Sequence, residues 1–141
     1  MAGRDTRTGS TMEQMVLPAL KRGNYEYRPQ VDIGSRVGGG RHLIDVLANH
    51  PGGKGILISL KWQQVSGTAE QKVPFEAICL ADAIITGEAL FQSAYLVLGG
   101  PGWKLRDFYV GGGLRSHLAH GDKVQIVTLE TFVALANKGA L

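Results

Sequence analysis

The chain has 141 residues, 44% of them hydrophobic, which suits one ordinary domain with a real core. Its net charge of +3 permits contact with a polyanion but is well short of a histone-like surface. No apolar run approaches the roughly 20 residues of a membrane span, the polar opening MAGRDTRTGST lacks the apolar part of a secretory signal, and the single Cys79 excludes an internal disulfide or a thiolate metal cage.

Residues 1–10 read as a flexible basic tail, with Arg4 and Arg7 placed to touch a polyanion. Residues 11–141 read as one domain, because no repeat, low-complexity tract or linker divides them. A first helix is predicted over STMEQMVLPALKR, residues 10–22. Ser10 and Glu13 have capping-box spacing, and Met12, Met15, Val16, Ala19 and Leu20 recur at the helical period. Pro18 threatens a kink, and Gly23 with Asn24 ends the helix. YEYRPQVDI, residues 25–33, alternates like a strand that Pro29 confines to an edge or a bulge. The glycine-rich stretch 34–41 is a loop. Strands at about 42–48 and 56–63 flank the turn NHPGGKG.

TAEQKVPFEAICLADAII then predicts a helix with Thr68 as N-cap and Val73, Ala77, Leu80, Ala81 and Ile84 as its buried stripe. Cys79 falls in this apolar run and reads as a small buried hydrophobe, which fits a reducing cytoplasm. AYLVLGG, residues 94–100, is apolar throughout and so is a central strand. A mixed stretch with short helical pieces follows, then a strand at 123–129 and the closing helix ETFVALANK. The order α-β-β-β-α-β, then α, β, α, predicts an α/β fold with a mixed central sheet flanked by helices.

Asp45 and Lys61 stand inside two neighbouring half-buried strands, where a charge needs a partner. Alternation puts Ser59, Lys61 and Gln63 on one face of their strand and Ile58, Leu60 and Trp62 on the other. An antiparallel hairpin would let Asp45 and Lys61 meet on a common face, either as a cross-strand ion pair or as part of a site.

A carboxylate on one strand, Ser59-Leu60-Lys61 on the next, a glycine-containing turn into a helix, and the αβββαβ order together resemble the PD-(D/E)XK nuclease superfamily. The resemblance spans roughly residues 10–100. It implies a restriction-endonuclease-like core in which Asp45 holds Mg²⁺, with Mn²⁺ able to substitute, and Lys61 positions the attacking water. Such chemistry suits Mg²⁺, which takes oxygen ligands, often one or two carboxylates beside substrate phosphate. The family pattern has Asp or Glu where this chain has Ser59. Some branches carry serine there and draw the acid from the following helix, which makes Glu70 and Glu76 the candidates. Glu13, the capping-box partner on the first reading, corresponds to a first-helix Glu that many members point at the metal. Gln63 is expected to help orient water or phosphate.

Within the superfamily the chain looks most like the Holliday junction resolvases of archaeal type and their relatives in viruses of thermophiles. That resemblance implies a homodimer cutting opposed strands of a four-way DNA junction, in the cytoplasm or that of a viral host, with no membrane partner. Arg4, Arg7, Arg36, Arg41 and the flexible Gly38, Gly39 and Gly40 would grip the backbone without reading bases. Phe91, Tyr95, Trp103, Phe108 and Tyr109 are either dimer-forming or core aromatics. The alternatives are a restriction-like or repair endonuclease cutting duplex, and an inactive DNA-binding relative left without the acid at Ser59. His117 and His120 lack a third ligand for zinc, and no P-loop or serine-hydrolase pattern occurs.

Overall fold

The computed structural model describes residues 6–141, with side chains from Thr11 onward. The elements are α1 (Thr6–Arg22), β1 (Glu26–Ser35), β2 (Arg41–Asn49), β3 (Gly55–Trp62), α2 (Ala69–Thr86), β4 (Phe91–Gly99), α3 (Arg106–Val110), two short 3₁₀ turns, β5 (Val124–Thr128) and α4 (Leu129–Asn137). The predicted mixed sheet between helices is the observed one. Strands lie in the order β1-β2-β3-β4-β5. The first three form an antiparallel meander, because their connections are tight turns. The longer crossovers make β3, β4 and β5 parallel.

Each face of the sheet has its own apolar layer. On one, α1 and α4 bury Met12, Val16, Leu20 and Phe132 against Val46, Ile56, Ile58 and Val97. On the other, α2 and the α3 region bury Val73, Ala77, Leu80, Trp103 and Tyr109 against Ile44, Leu57, Leu96 and Leu98. β4 is buried continuously from Ala94 to Gly99, as its unbroken apolar run requires of a central strand. The stripe expected on α2 is buried, Cys79 included. Tyr95, Trp103 and Tyr109 are core residues, whereas Phe108 is 44% exposed.

Several local expectations are corrected. The first helix begins at Thr6, so Ser10 lies inside it and cannot be the N-cap of a capping box with Glu13. Thr68 precedes α2 in a helical conformation and makes no side-chain cap. Among the described residues, Thr128 makes a side-chain helix cap, its hydroxyl accepting from the Thr131 N–H at 3.2 Å. β1 runs two residues past its predicted end, leaving a shorter hairpin tip.

Pro74 sits inside α2 and lacks the N–H that would bond the Glu70 carbonyl one turn back. The buried Tyr109 hydroxyl donates to that carbonyl instead, at 2.7 Å. The tolerance of α2 for its proline is therefore a tertiary effect, supplied by α3.

Candidate active site

The site begins at an irregularity in β2. In a regular strand Ile44 and Val46 would face the same way. Here Val46 joins the layer under α1, while Ile44 joins the layer under α2. Antiparallel pairing of β2 with β3 ends at Val46 opposite Ile58. Alongside, Gln30 of β1 takes φ 55° between Pro29 and Val31, which pair with Val46 and Ile44. Asp45 is the residue at this break. Its Oδ2 accepts the Leu60 backbone N–H at 2.7 Å. The carboxylate thus satisfies a β3 donor where strand pairing has stopped, and this holds it beside Ser59-Leu60-Lys61.

Glu76 of α2 completes the grouping from the covered face. Burial alone would raise its carboxyl. A contact from His42, the charge of Lys61 and the Ser59 hydroxyl instead hold it below the ordinary glutamate range. His42 Nε2 lies 3.6 Å from Glu76 Oε2, an ion-pair distance rather than a hydrogen bond. Ser59 is buried beneath this pair, and Lys61 is half-buried. Asp45, Ser59, Lys61 and Glu76 therefore converge from β2, β3 and α2. His42 joins them unannounced by the sequence. Only its burial and its rotation with the kinked strand reveal it, and neither leaves a motif.

Other expected residues lie elsewhere. Glu70 Oε2 accepts the Leu105 N–H at 2.6 Å. Burial opposes its ionisation, but the N–H groups of Leu105 and Lys104, the Gln63 amide and the Lys104 charge hold its carboxyl below the ordinary range. Glu70 is thus an anchor for the loop after β4. Gln63 is buried in the same loop and donates to the Gly102 carbonyl at 2.9 Å, so its amide is committed to structure rather than to water or phosphate. Glu13 comes from α1 on the opposite face and meets the Gln30 amide at 3.5 Å, one strand across from Asp45. Among the described residues no three His, Cys, Asp or Glu side chains gather closely enough to hold a metal ion. Asp45, Glu13 and either candidate acid of α2 therefore do not gather into a three-acid cage.

The expected DNA grip is only partly free. At the hairpin tip, Gly38, Gly39 and Gly40 have φ between 81° and 90°, a region that favours glycine. Arg36 folds back so that its guanidinium carbon lies 5.7 Å from the centre of the Phe75 ring on α2. Arg41 is exposed and 3.6 Å from Asp32. Arg4 lies outside the described residues, as does the side chain of Arg7.

The profile of the PD-(D/E)XK nuclease superfamily domain matches residues 4–140. The chain belongs to this superfamily. Nuclease activity with a divalent metal is what membership implies. The crystal structure of the protein of unknown function AF1548 shares the fold, at a TM-score of 0.50 and 13% sequence identity. The match covers 83% of this chain, which spans 57% of that one. No curated protein matches the sequence.

A PD-(D/E)XK member with this donor set fits a hard divalent cation. Asp45 and Glu76 offer two carboxylates and Ser59 a neutral oxygen. Mg²⁺ is commonly held by one or two carboxylates, with water and substrate phosphate completing its shell, so it needs no protein cage of three acids. Among the described residues no helix is long and apolar enough to cross a membrane.

Proposed function

We propose that this protein is a Mg²⁺-dependent endodeoxyribonuclease that hydrolyses phosphodiester bonds in four-way DNA junctions as a homodimer. The observation that carries the nuclease reading is Asp45 at the end of β2–β3 pairing, bonded to Leu60 between Ser59 and Lys61, with Glu76 brought in from α2. The acid absent at position 59 is then replaced by one from the helix.

Asp45 and Glu76 would hold the cation, which supplies charge neutralisation at the scissile phosphate and a lowered pKa for water. Lys61 orients the attacking water and faces the negative charge that grows on the phosphate. Leu60, through its N–H on Asp45 Oδ2, fixes the carboxylate beside Ser59 and Lys61. Ser59 donates to Glu76 and keeps a neutral group where a second fixed charge would repel it. Glu13, on the opposite face against Gln30, takes no part in holding the cation in this reading. Arg41 and the hairpin tip contact backbone phosphate.

The junction preference rests on resemblance of the first-helix Glu13 and the Asp45 hairpin to junction resolvases. A second reading is favoured by Ser59 and by the absence of a three-acid cluster among the described residues: a DNA binder without catalysis.

The test incubates the protein and Mg²⁺ with end-labelled four-way junction and with linear duplex of the same sequence, beside Asp45→Asn. Symmetrical nicks in the junction alone, lost in Asp45→Asn while junction binding survives, are expected. Duplex cleavage would point to a restriction-like or repair enzyme. Binding of both DNAs without any cut would favour the inactive relative.

A further inference from the structure

His42 is a buried imidazole, 3% exposed, at the start of β2. Its neighbour Arg41 is exposed, so the side chain turns inward with the same rotation that separates Ile44 from Val46. Its Nε2 is buried and has no hydrogen-bond partner among the described residues. Buried polar nitrogens are seldom left so. What it faces is Glu76 Oε2, at 3.6 Å. A ring nitrogen facing a carboxylate is the one that carries the proton. A small rotation of Glu76 would close the gap to a hydrogen bond.

We propose that His42 is a positioning residue whose Nε2–H sets the direction of the Glu76 carboxylate, so that this borrowed acid and Asp45 address one cation. The inference rests on the reading of Glu76 as the metal-facing acid. It gives a physical reason for a histidine at this place. An acid carried by a helix needs a fixed donor behind it, whereas one on the strand itself would be aimed by the backbone. Carboxylates that ligate metals are commonly held by such outer partners, and losing the partner weakens metal affinity by about 10–100-fold.

The test is Mn²⁺ binding to the intact chain, followed through the electron paramagnetic resonance of the free ion. His42→Leu fills similar space without a donor. His42→Gln returns an N–H at the reach of Nε2, and His42→Asn stops at the level of Nδ1. Expected are an about 10–100-fold loss of Mn²⁺ affinity in His42→Leu and in His42→Asn, restoration by His42→Gln, and no added loss when His42→Leu is combined with Glu76→Gln. A merely structural role would not reproduce that non-additivity. Circular dichroism checks the fold of each variant. If His42→Leu fails to fold, the comparison of His42→Asn with His42→Gln decides. Native affinity in a folded His42→Leu or His42→Asn overturns the inference and leaves the reading of Glu76 standing. A native chain that binds no Mn²⁺, or binds it equally well as Glu76→Gln, overturns both.

Discussion

The proposed site divides one task between Ser59 and Glu76. The superfamily pattern puts an acid two residues before the lysine; here a buried serine lies there, and in the proposed site the acid is Glu76 of α2, which Ser59 and Lys61 face. Replacing Ser59 by Glu alone would set two carboxylates against each other in a half-buried site, where like charges disfavour ionisation. Glu76→Ala should therefore lower cleavage at limiting Mg²⁺ by about 10–100-fold, in line with the loss of a metal-site carboxylate or its support. Ser59→Glu should also be impaired, and the double variant should recover part of the activity. Rates at several Mg²⁺ concentrations measure this, and a double variant no better than either single one would reject the exchange. Glu70 makes the opposite case. Its carboxyl is held below the ordinary glutamate value of 4.5 in the fold. A depressed folded value contributes stability that is present above the unfolded value and is lost as pH falls through the folded one. The stability advantage of the native chain over Glu70→Gln should thus be full at neutral pH and shrink below 4.5. Urea unfolding at a series of pH values gives the comparison, and a gap independent of pH would contradict it.

Element by element, the fold works by repairing local faults from a distance. Pro74 leaves the Glu70 carbonyl without its helical partner, and Tyr109 of α3 supplies one. Tyr109→Phe removes that donor and little else, leaving a buried carbonyl unsatisfied. It should destabilise the protein by about 1–3 kcal/mol, read as a shift in the urea midpoint, and a neutral variant would mean that another donor reaches the carbonyl. The loop between β4 and α3 is fixed equally tightly. Gly100 has φ 92°, and a Cβ there would lie 2.5 Å from the Gln63 carbonyl oxygen. Close approach of Gly100 and Gly102 to the end of β3 is what commits the Gln63 amide to Gly102. The same loop receives Glu70. Two residues expected to serve chemistry are therefore spent holding the carboxyl ends of β3 and β4 together, next to Lys61.

At the largest scale, the candidate site lies where the antiparallel pairing of β2 and β3 ends, on the face covered by α2. Glu76 reaches it from α2, while Glu13 of α1 lies on the opposite face, against Gln30. A dimer carrying two such sites would cut both strands of a cruciform within one encounter. On a supercoiled plasmid that extrudes a cruciform, the proposed enzyme should yield linear product with little nicked circle. A monomer acting once per encounter would accumulate nicked circles first, and gel filtration would agree with one outcome or the other. Tyr95, Trp103 and Tyr109 are core residues. The dimer surface of the proposed enzyme would then lie among exposed side chains instead.

Much of the architecture was legible because it follows from short-range rules. Alternation marked β2 and β3, an unbroken apolar run marked the central β4, and the 3.6-residue stripe of α2 marked the face it buries. Asp45, Ser59 and Lys61 were also visible, since charged or polar residues within apolar strands stand out against their surroundings. Three things were not visible. The rotation of β2 at Asp45 lies alongside the left-handed Gln30 of the neighbouring strand, and no periodicity within β2 encodes it. The choice between Glu70 and Glu76 depends on which acid finds backbone donors in a distant loop and which finds His42, Ser59 and Lys61. The helical start at Thr6 overrode a well-spaced capping box. Side-chain period and turn chemistry are enough to specify the elements, the order that makes the sheet mixed, and the strand-borne half of the candidate site. Which acid joins that half, and which histidine stands behind it, emerges on folding alone, because those contacts join residues far apart in the chain, and distance in space is not written in spacing along it.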